Sequence, residues 1–252
     1  MESSPLLSII IPAYNEGARL PKTLPQIASF VEEQPYAAEV IIVNNNSDDD
    51  TKVIAAKFAE TYPFIHIYDE LTQGKGAAVR TGMIAAKGDY LFMADADLSM
   101  PIGEVSKFIP PQLEGYDVAI ASREVKGAVR YNEPAYRHLM GRIFNLIVRV
   151  IAVPGFQDTQ CGFKCFRRLV ALDVLQSQSI NGWAFDVELL FIARQRHYQI
   201  VEVPINWYYR ANSRISPLKD ALEMVREVLR IRINGWRGLY EQPSPGMPTL
   251  DT

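Results

Sequence analysis

The sequence predicts an α/β fold built on a doubly wound, mostly parallel sheet, and two observations carry that expectation. Short apolar runs rich in β-branched residues recur at 7–12, 40–43, 65–68, 90–94 and 118–121, the pattern of strands buried on both faces. Helix-length segments at 24–33, 51–61, 77–86 and 102–113 lie between them, and strand alternating with helix is the signature of a parallel sheet covered on both sides. A sheet of this kind holds its ligand at the carboxyl ends of the strands.

Each element has its local signal. The first strand ends at Pro12, and the helix that follows is expected to begin no later than Pro25, because a proline inside it removes a hydrogen bond. After Arg123 the alternation stops. A helix is expected over about 135–153, a strand-like stretch over 159–166, a helix over 185–197, a strand around 200–208 and a helix over 217–233. Residues 241–252, rich in proline, read as a loose tail. Residues 1–240 are expected to form one domain, divided near 123 into two functional halves.

With 48% hydrophobic residues in 252, the chain can bury a substantial core. The net charge of -3 conceals an asymmetry: residues 1–122 balance to -9 and residues 123–240 to +8, the latter dominated by arginine. The planar guanidinium fork matches phosphate oxygens, so a phosphate ligand is expected on the basic half. Nucleic acid would also suit that charge, but it gives a pair of aspartates at a strand end no task, and no nucleic-acid partner is expected. Cys161 and Cys165 are the only cysteines, too few for a disulfide framework or a cysteine-built zinc site, and they read as small buried residues. No basic leader followed by an apolar core opens the chain, and no apolar run approaches the ~18 residues of a spanning helix. The three histidines show no metal-ligand spacing.

The most informative residues are Asp95-Ala96-Asp97, directly after the apolar run 90–94. Extended spacing of two points both carboxylates to one side, and two hard oxygen ligands over the ligand crevice suit Mg²⁺ or Mn²⁺ bridged to a diphosphate. Asn44, Asn45, Asn46, Ser47 and Asp48 follow another strand end, where short polar side chains serve a turn or contact a base or ribose. Gln73-Gly74-Lys75-Gly76-Ala77 places small residues and a cation before a helix, where exposed backbone N–H groups attract phosphate. Asp186 and Glu188 stand at the start of another helix, where the dipole favours acids.

Together, Ile9 to Glu16, the turn at 44–48, Gly74-Lys75-Gly76 and Asp95-Ala96-Asp97 resemble family 2 glycosyltransferases of the GT-A fold. Asp158-Thr-Gln-Cys-Gly-Phe-Lys164, Trp183-Ala-Phe-Asp-Val-Glu-Leu189 and Val203-Pro-Ile-Asn-Trp207 resemble dolichyl-phosphate glucosyltransferases in particular, with dolichyl-phosphate mannose synthases next. The resemblance implies an inverting, metal-assisted transfer of a hexose, foremost glucose from UDP-glucose, to a polyprenyl or dolichyl phosphate. Mannose from GDP-mannose, or a soluble acceptor, is the alternative. It makes 1–123 a nucleotide-sugar-binding half and 124–240 an acceptor-binding, helical and membrane-facing half.

Carried onto this chain, the resemblance places Pro12, Tyr14, Glu16, Asn44, Asn46, Lys75, Asp95 and Ala96 around the nucleotide sugar. Asp95, Asp97 and Ser99 fall at the metal, and Asp97, Asp158, Lys164 and Arg123 at the reaction centre. Arg137, Arg210, Arg214, Asp186 and Glu188 are the candidates for the acceptor and its phosphate. Two departures stand out: Asn44-Asn45 replaces the usual Asp-Asp, and Ser99 stands where mannose synthases carry a glutamine. The N-terminal anchor of the eukaryotic glucosyltransferases has no counterpart, so peripheral contact at the cytoplasmic face of a membrane is expected from the helix 139–153. There Arg142, Asn145 and Arg149 form a narrow polar stripe in a wide apolar arc. The same arc would serve the core or a second copy of the chain.

Overall fold

A computed structural model describes residues 4–210 and 217–241. Its centre is a seven-stranded sheet. The strands β1 (Leu7–Ala13), β2 (Ala38–Asn44), β3 (Ile65–Asp69) and β4 (Tyr90–Met93) alternate with helices α1 (Leu20–Glu32), α2 (Thr51–Thr61) and α3 (Lys75–Ala85). A 3-10 helix, Ile102–Phe108, leads to β5 (Val118–Ser122). The second half supplies β6 (Val129–Tyr131), α4 (Ala135–Ile151), β7 (Lys164–Arg167), α5 (Arg168–Gln176), α6 (Phe185–Gln195), β8 (Ile200–Pro204), β9 (Asn206–Tyr208) and α7 (Pro217–Trp236).

The strand order is β3-β2-β1-β4-β7-β5-β8, and β6 and β9 form a separate parallel ribbon. All pairings in the main sheet are parallel except those of β7, which runs antiparallel to both β4 and β5. The strand order reverses direction between β1 and β4, so a ligand crevice opens at their carboxyl ends. Alternate residues of β1 fill opposite layers: Ile10 joins the core with α3 to α7, while Ile9 and Ile11 join the core with α1 and α2. Burial on both faces explains why these strands read as continuous apolar runs.

Several elements depart from the sequence expectation. The segment 102–113 forms only a short 3-10 helix, since Pro110 and Pro111 cannot donate the bonds that would extend it. Helix α1 begins at Leu20, inside the expected bound of Pro25 but ahead of the segment 24–33, and carries Pro25 within it, on an exposed face where the freed carbonyl of Pro21 need not be buried. The stretch 159–166 is strand only from Lys164, and α5 follows it without a turn. The segment 200–208 divides after Pro204, its first part edging the main sheet and its second pairing with β6. Arg214 and the tail from 242 lie outside the described residues.

Candidate functional site

The loops after β1 and β2 are sewn together beside the crevice. Asn15 takes a positive φ of 52°, letting its backbone N–H reach Ser47 Oγ at 3.0 Å while its side chain accepts from the Asp48 N–H at 2.8 Å. Glu16 is buried, receives Arg19 Nη1 on both carboxylate oxygens at 2.9 Å, and its N–H donates to Thr51 Oγ1 at 2.7 Å. Tyr14 and Asn46 remain exposed and Pro12 half-buried. Asn44 is buried and donates to Asp69 Oδ1 at 2.9 Å, so its amide braces the end of β3. Asp69 is drawn below the usual carboxylate range by that bond and by Lys52, whose ammonium lies 2.5 Å away. Asn45 accepts from the Gly74 N–H at 2.8 Å, which anchors the loop entering α3.

Beyond β4 the chain turns and does not stay extended as the spacing led one to expect: the Leu98 N–H donates to the Asp95 carbonyl at 3.2 Å, and Asp95 and Asp97 are partly open with Ala96 buried between them. Lys75, at the first turn of α3, reaches across to Asp95 Oδ1 at 2.5 Å. Burial works against the Lys75 ammonium, but Asp95, with Asp186 and Asp97 behind it, holds its pKa above the ordinary lysine value. Asp97 Oδ1 accepts the Ser99 N–H at 2.9 Å. Ser99 is itself buried, and its carbonyl accepts the Tyr208 N–H at 2.7 Å, tying the acidic loop to the β9 ribbon.

The antiparallel insertion of β7 brings a second wall to this acid. Register pairs Met93 with Lys164, so the turn before β7 passes beside Asp95. A Cβ placed on Gly162 would lie 3.0 Å from Asp95 Cγ and closer still to Oδ2, so only glycine leaves the carboxylate its position. Lys164 holds that turn: it is fully buried, donating to the Cys161 carbonyl at 2.5 Å and to Asp186 Oδ2 at 2.8 Å. Gly162 lies in the 158–164 stretch that carried the resemblance, but its contact with Asp95 had no local signal, because that partner is 67 residues away in the chain.

The basic half forms an adjoining cluster. Arg123 grips Asp158 with Nε at 2.7 Å and Nη2 at 3.0 Å, and its own backbone N–H donates to the same carboxylate. Burial pushes Asp158 up, but the Arg123 fork and Lys164 outweigh it and bring the carboxyl down to about 2. The guanidinium of Arg123 lies 5.3 Å from the Trp207 ring centroid and that of Arg130 6.0 Å. Arg137, in the first turn of α4, donates to Tyr209 Oη at 2.8 Å. Arg210 is exposed just beyond. Tyr209 and Arg130 were not among the residues expected from sequence, and Trp207 was named there only as the end of the 203–207 motif.

Three expected site members sit below the crevice surface: Lys164, which was expected at the reaction centre, Asp186 and Glu188. Glu188 is fully buried, and its oxygens accept from Ser179, Ile180 and Tyr240. Asp186 lies beneath Lys75, paired with Lys164, and is almost as deeply buried. Both face inward because the rotation of α6 sets their direction, which position at a helix start does not reveal. Cys161 and Cys165 are free, and burial raises their thiols to about 11 and about 12, so neither is a ready nucleophile.

The arrangement suits a divalent ion. Asp95 and Asp97 offer two hard oxygen donors, and no group of three metal-binding side chains occurs among the described residues. That count fits an ion that keeps waters and completes its shell with diphosphate oxygens.

Fold and site together define a doubly wound α/β protein with paired acids at the switch of strand order and a basic second half. The family model for glycosyl transferase family 2 matches residues 8–174, and the chain belongs to that family. It is similar to the dolichyl-phosphate beta-glucosyltransferase of Dictyostelium discoideum, 31% identical over 93% of this chain and 76% of that one. The Homo sapiens protein of the same name is 32% identical over 93% and 77%. Among solved structures, glucosyl-3-phosphoglycerate synthase from Mycobacterium tuberculosis in complex with UDP shares the fold, with a TM-score of 0.67 at 21% identity, over 96% of this chain and 82% of that one. The same enzyme solved with Mn²⁺, UDP and phosphoglyceric acid gives a TM-score of 0.65.

Proposed function

We propose that the chain transfers glucose from UDP-glucose to dolichyl or another polyprenyl phosphate, with inversion at the anomeric carbon. The observation that carries this reading is the similarity of more than nine-tenths of the chain to dolichyl-phosphate beta-glucosyltransferases. In this reading residues 1–123 bind the nucleotide sugar, with Pro12, Tyr14, Glu16, Asn44 and Asn46 along the nucleotide and Asp95 and Ala96 at its ribose. A Mg²⁺ or Mn²⁺ ion would be held by Asp97 and Asp95, near Ser99, and would neutralise charge on the departing diphosphate. Lys75 fixes the Asp95 carboxylate and adds a positive charge beside it.

Residues 124–240 receive the acceptor. A phosphate monoester is largely ionised at neutral pH, so the chain needs no strong general base; it must hold two phosphate-bearing groups close together. Arg123, Arg137, Arg210 and Arg214 are the proposed phosphate ligands. Asp158 orients the Arg123 fork, while Lys164 and Asp186 act from below by supporting the Gly162 turn. Glu188 has no exposed atom in this arrangement and supports α6.

The acceptor implies peripheral contact with a membrane, at the cytoplasmic face, where two free thiols persist. No helix among the described residues is long and apolar enough to cross a membrane. Support for surface contact comes from α4, where Leu139, Met140, Ile143, Leu146 and Val150 are each at least half exposed. The polar stripe needs correction: Asn145 faces inward to accept the Thr159 N–H at 3.1 Å, and Phe144 packs on the core. Arg142 and Arg149 therefore flank the apolar face instead of sharing a stripe with a solvated asparagine.

Donor competition tests the proposal. With equal UDP-glucose and GDP-mannose and a polyprenyl phosphate, the glucosyl lipid is the expected major product by mass. A dominant mannosyl lipid would move the assignment to the mannose branch.

A further inference from the structure

The inner face of α7 is held by close packing and a buried chain of hydrogen bonds. Gly235 lets the Phe191 ring of α6 approach so closely that a Cβ would fall 2.6 Å from it. Asn234 donates to Tyr240 Oη at 3.1 Å, and that hydroxyl donates to buried Glu188 at 2.7 Å. Val228 and Ile231 are fully buried on the same side. With the rotation set, Leu222, Leu229, Ile233 and Trp236 recur at helical spacing on the opposite side, 42–75% exposed, and Leu239 continues them at 59%. Core packing does not use this stripe.

The charge beside the stripe says what covers it. Arg226, Arg230 and Arg237 are exposed on α7 or just beyond it, and α4, which packs against α7, carries Arg137, Arg142 and Arg149 without one acidic residue. Residues 135–151 and 222–240 hold seven arginines against two glutamates, a balance of +5 in a chain of net charge -3. A second copy of the chain would bring arginine against arginine across a symmetric contact. A neutral bilayer would use the leucines and leave the arginines without counter-charge. An anionic bilayer satisfies both, with tryptophan at the depth where its amphipathic ring is favoured.

We propose that α7 and the turn after it complete, with α4, an arginine-rimmed apolar pad that docks on anionic bilayers with Trp236 entering the interface. The proposal rests on the lipid-phosphate reading above and adds a lipid preference to it. The acidic first half is held away from the negative surface and the basic half is held against it, which orients the crevice toward its acceptor.

The test uses the full chain with vesicles of phosphatidylcholine alone or mixed with phosphatidylserine. Each arginine at an anionic surface raises affinity about five-fold, so Arg226, Arg230 and Arg237 together give a preference on the order of 100-fold over neutral vesicles, lost at high salt. A blue shift of tryptophan fluorescence that disappears in Trp236→Phe is expected on binding. Replacing Arg226, Arg230 and Arg237 by Gln should abolish the preference; none of the three is among the proposed phosphate ligands, so transfer to a short soluble polyprenyl phosphate should persist. Equal binding to both vesicle types, an unchanged triple variant, or a lipid-free dimer that shields Trp236 would overturn the pad. Absence of transfer to the soluble acceptor in the wild type would instead count against the proposed reaction, leaving the vesicle result to stand by itself.

Discussion

Replacing Gly162 with Ala should disable the site while leaving the fold intact. The backbone there is not left-handed, and the three atoms nearest a new Cβ all belong to the Asp95 carboxylate, with Cγ at 3.0 Å. Ordinary contact begins near 3.4 Å, so either Asp95 or the turn must move by several tenths of an ångström. The turn is held by Lys164, leaving the carboxylate as the softer partner. A 1 Å misplacement at a reacting centre costs on the order of 100-fold in rate, so a loss of about 10- to 100-fold in kcat is expected. The stability change should stay within about 1–3 kcal/mol, the range for a small overpacked site. The assay is turnover with UDP-glucose and polyprenyl phosphate, paired with thermal unfolding and with Mn²⁺ affinity of the protein alone, measured by spin resonance. Full activity, or unchanged Mn²⁺ affinity, would refute the argument that Gly162 sets the position of Asp95.

Three further outcomes follow from the same geometry. Asp97→Ala should abolish turnover with the protein still folded, and EDTA should do the same to the wild type; turnover persisting in EDTA would remove the metal from the account. Asp158 has a folded-state pKa lowered to about 2, so its contribution is present above the unfolded value near 3.9 and is lost as pH falls toward 2. Unfolding free energies of wild type and Asp158→Asn from urea titration should therefore differ above pH ~4 by about 2 kcal/mol and converge toward pH ~2, and a constant difference would contradict the pairing with Arg123. Replacing Ile143 and Leu146, both more than half exposed, by Asp should release the protein from liposomes without lowering its melting temperature. Unfolding of that variant would place the helix face in the core.

The elements that were legible in the sequence are those whose signal is local. The runs at 7–12 and 40–43 announced strands because both faces are buried, and Asp95 and Asp97 stood out because an apolar strand ends just before them. Strand direction has no comparable signal, so the antiparallel course of β7, and with it the approach of Gly162 to Asp95, could not be read. Helix α5 follows β7 with no intervening turn residue, and its short apolar pattern merges with the strand. Glu188 and Asn145 were misdirected for one reason: helical spacing shows which residues share a face but not which way that face is turned. Glu188 turns toward Tyr240 and Asn145 toward Thr159, contacts made by tertiary packing.

The central claim is the reaction itself, and product analysis tests it most directly. Wild-type protein incubated with UDP-glucose, Mn²⁺ and a polyprenyl phosphate should yield a lipid heavier by one hexosyl unit, with the β configuration expected of inversion and one UDP released per product. Release of UDP without a glucosylated lipid, or a product of α configuration, would contradict it.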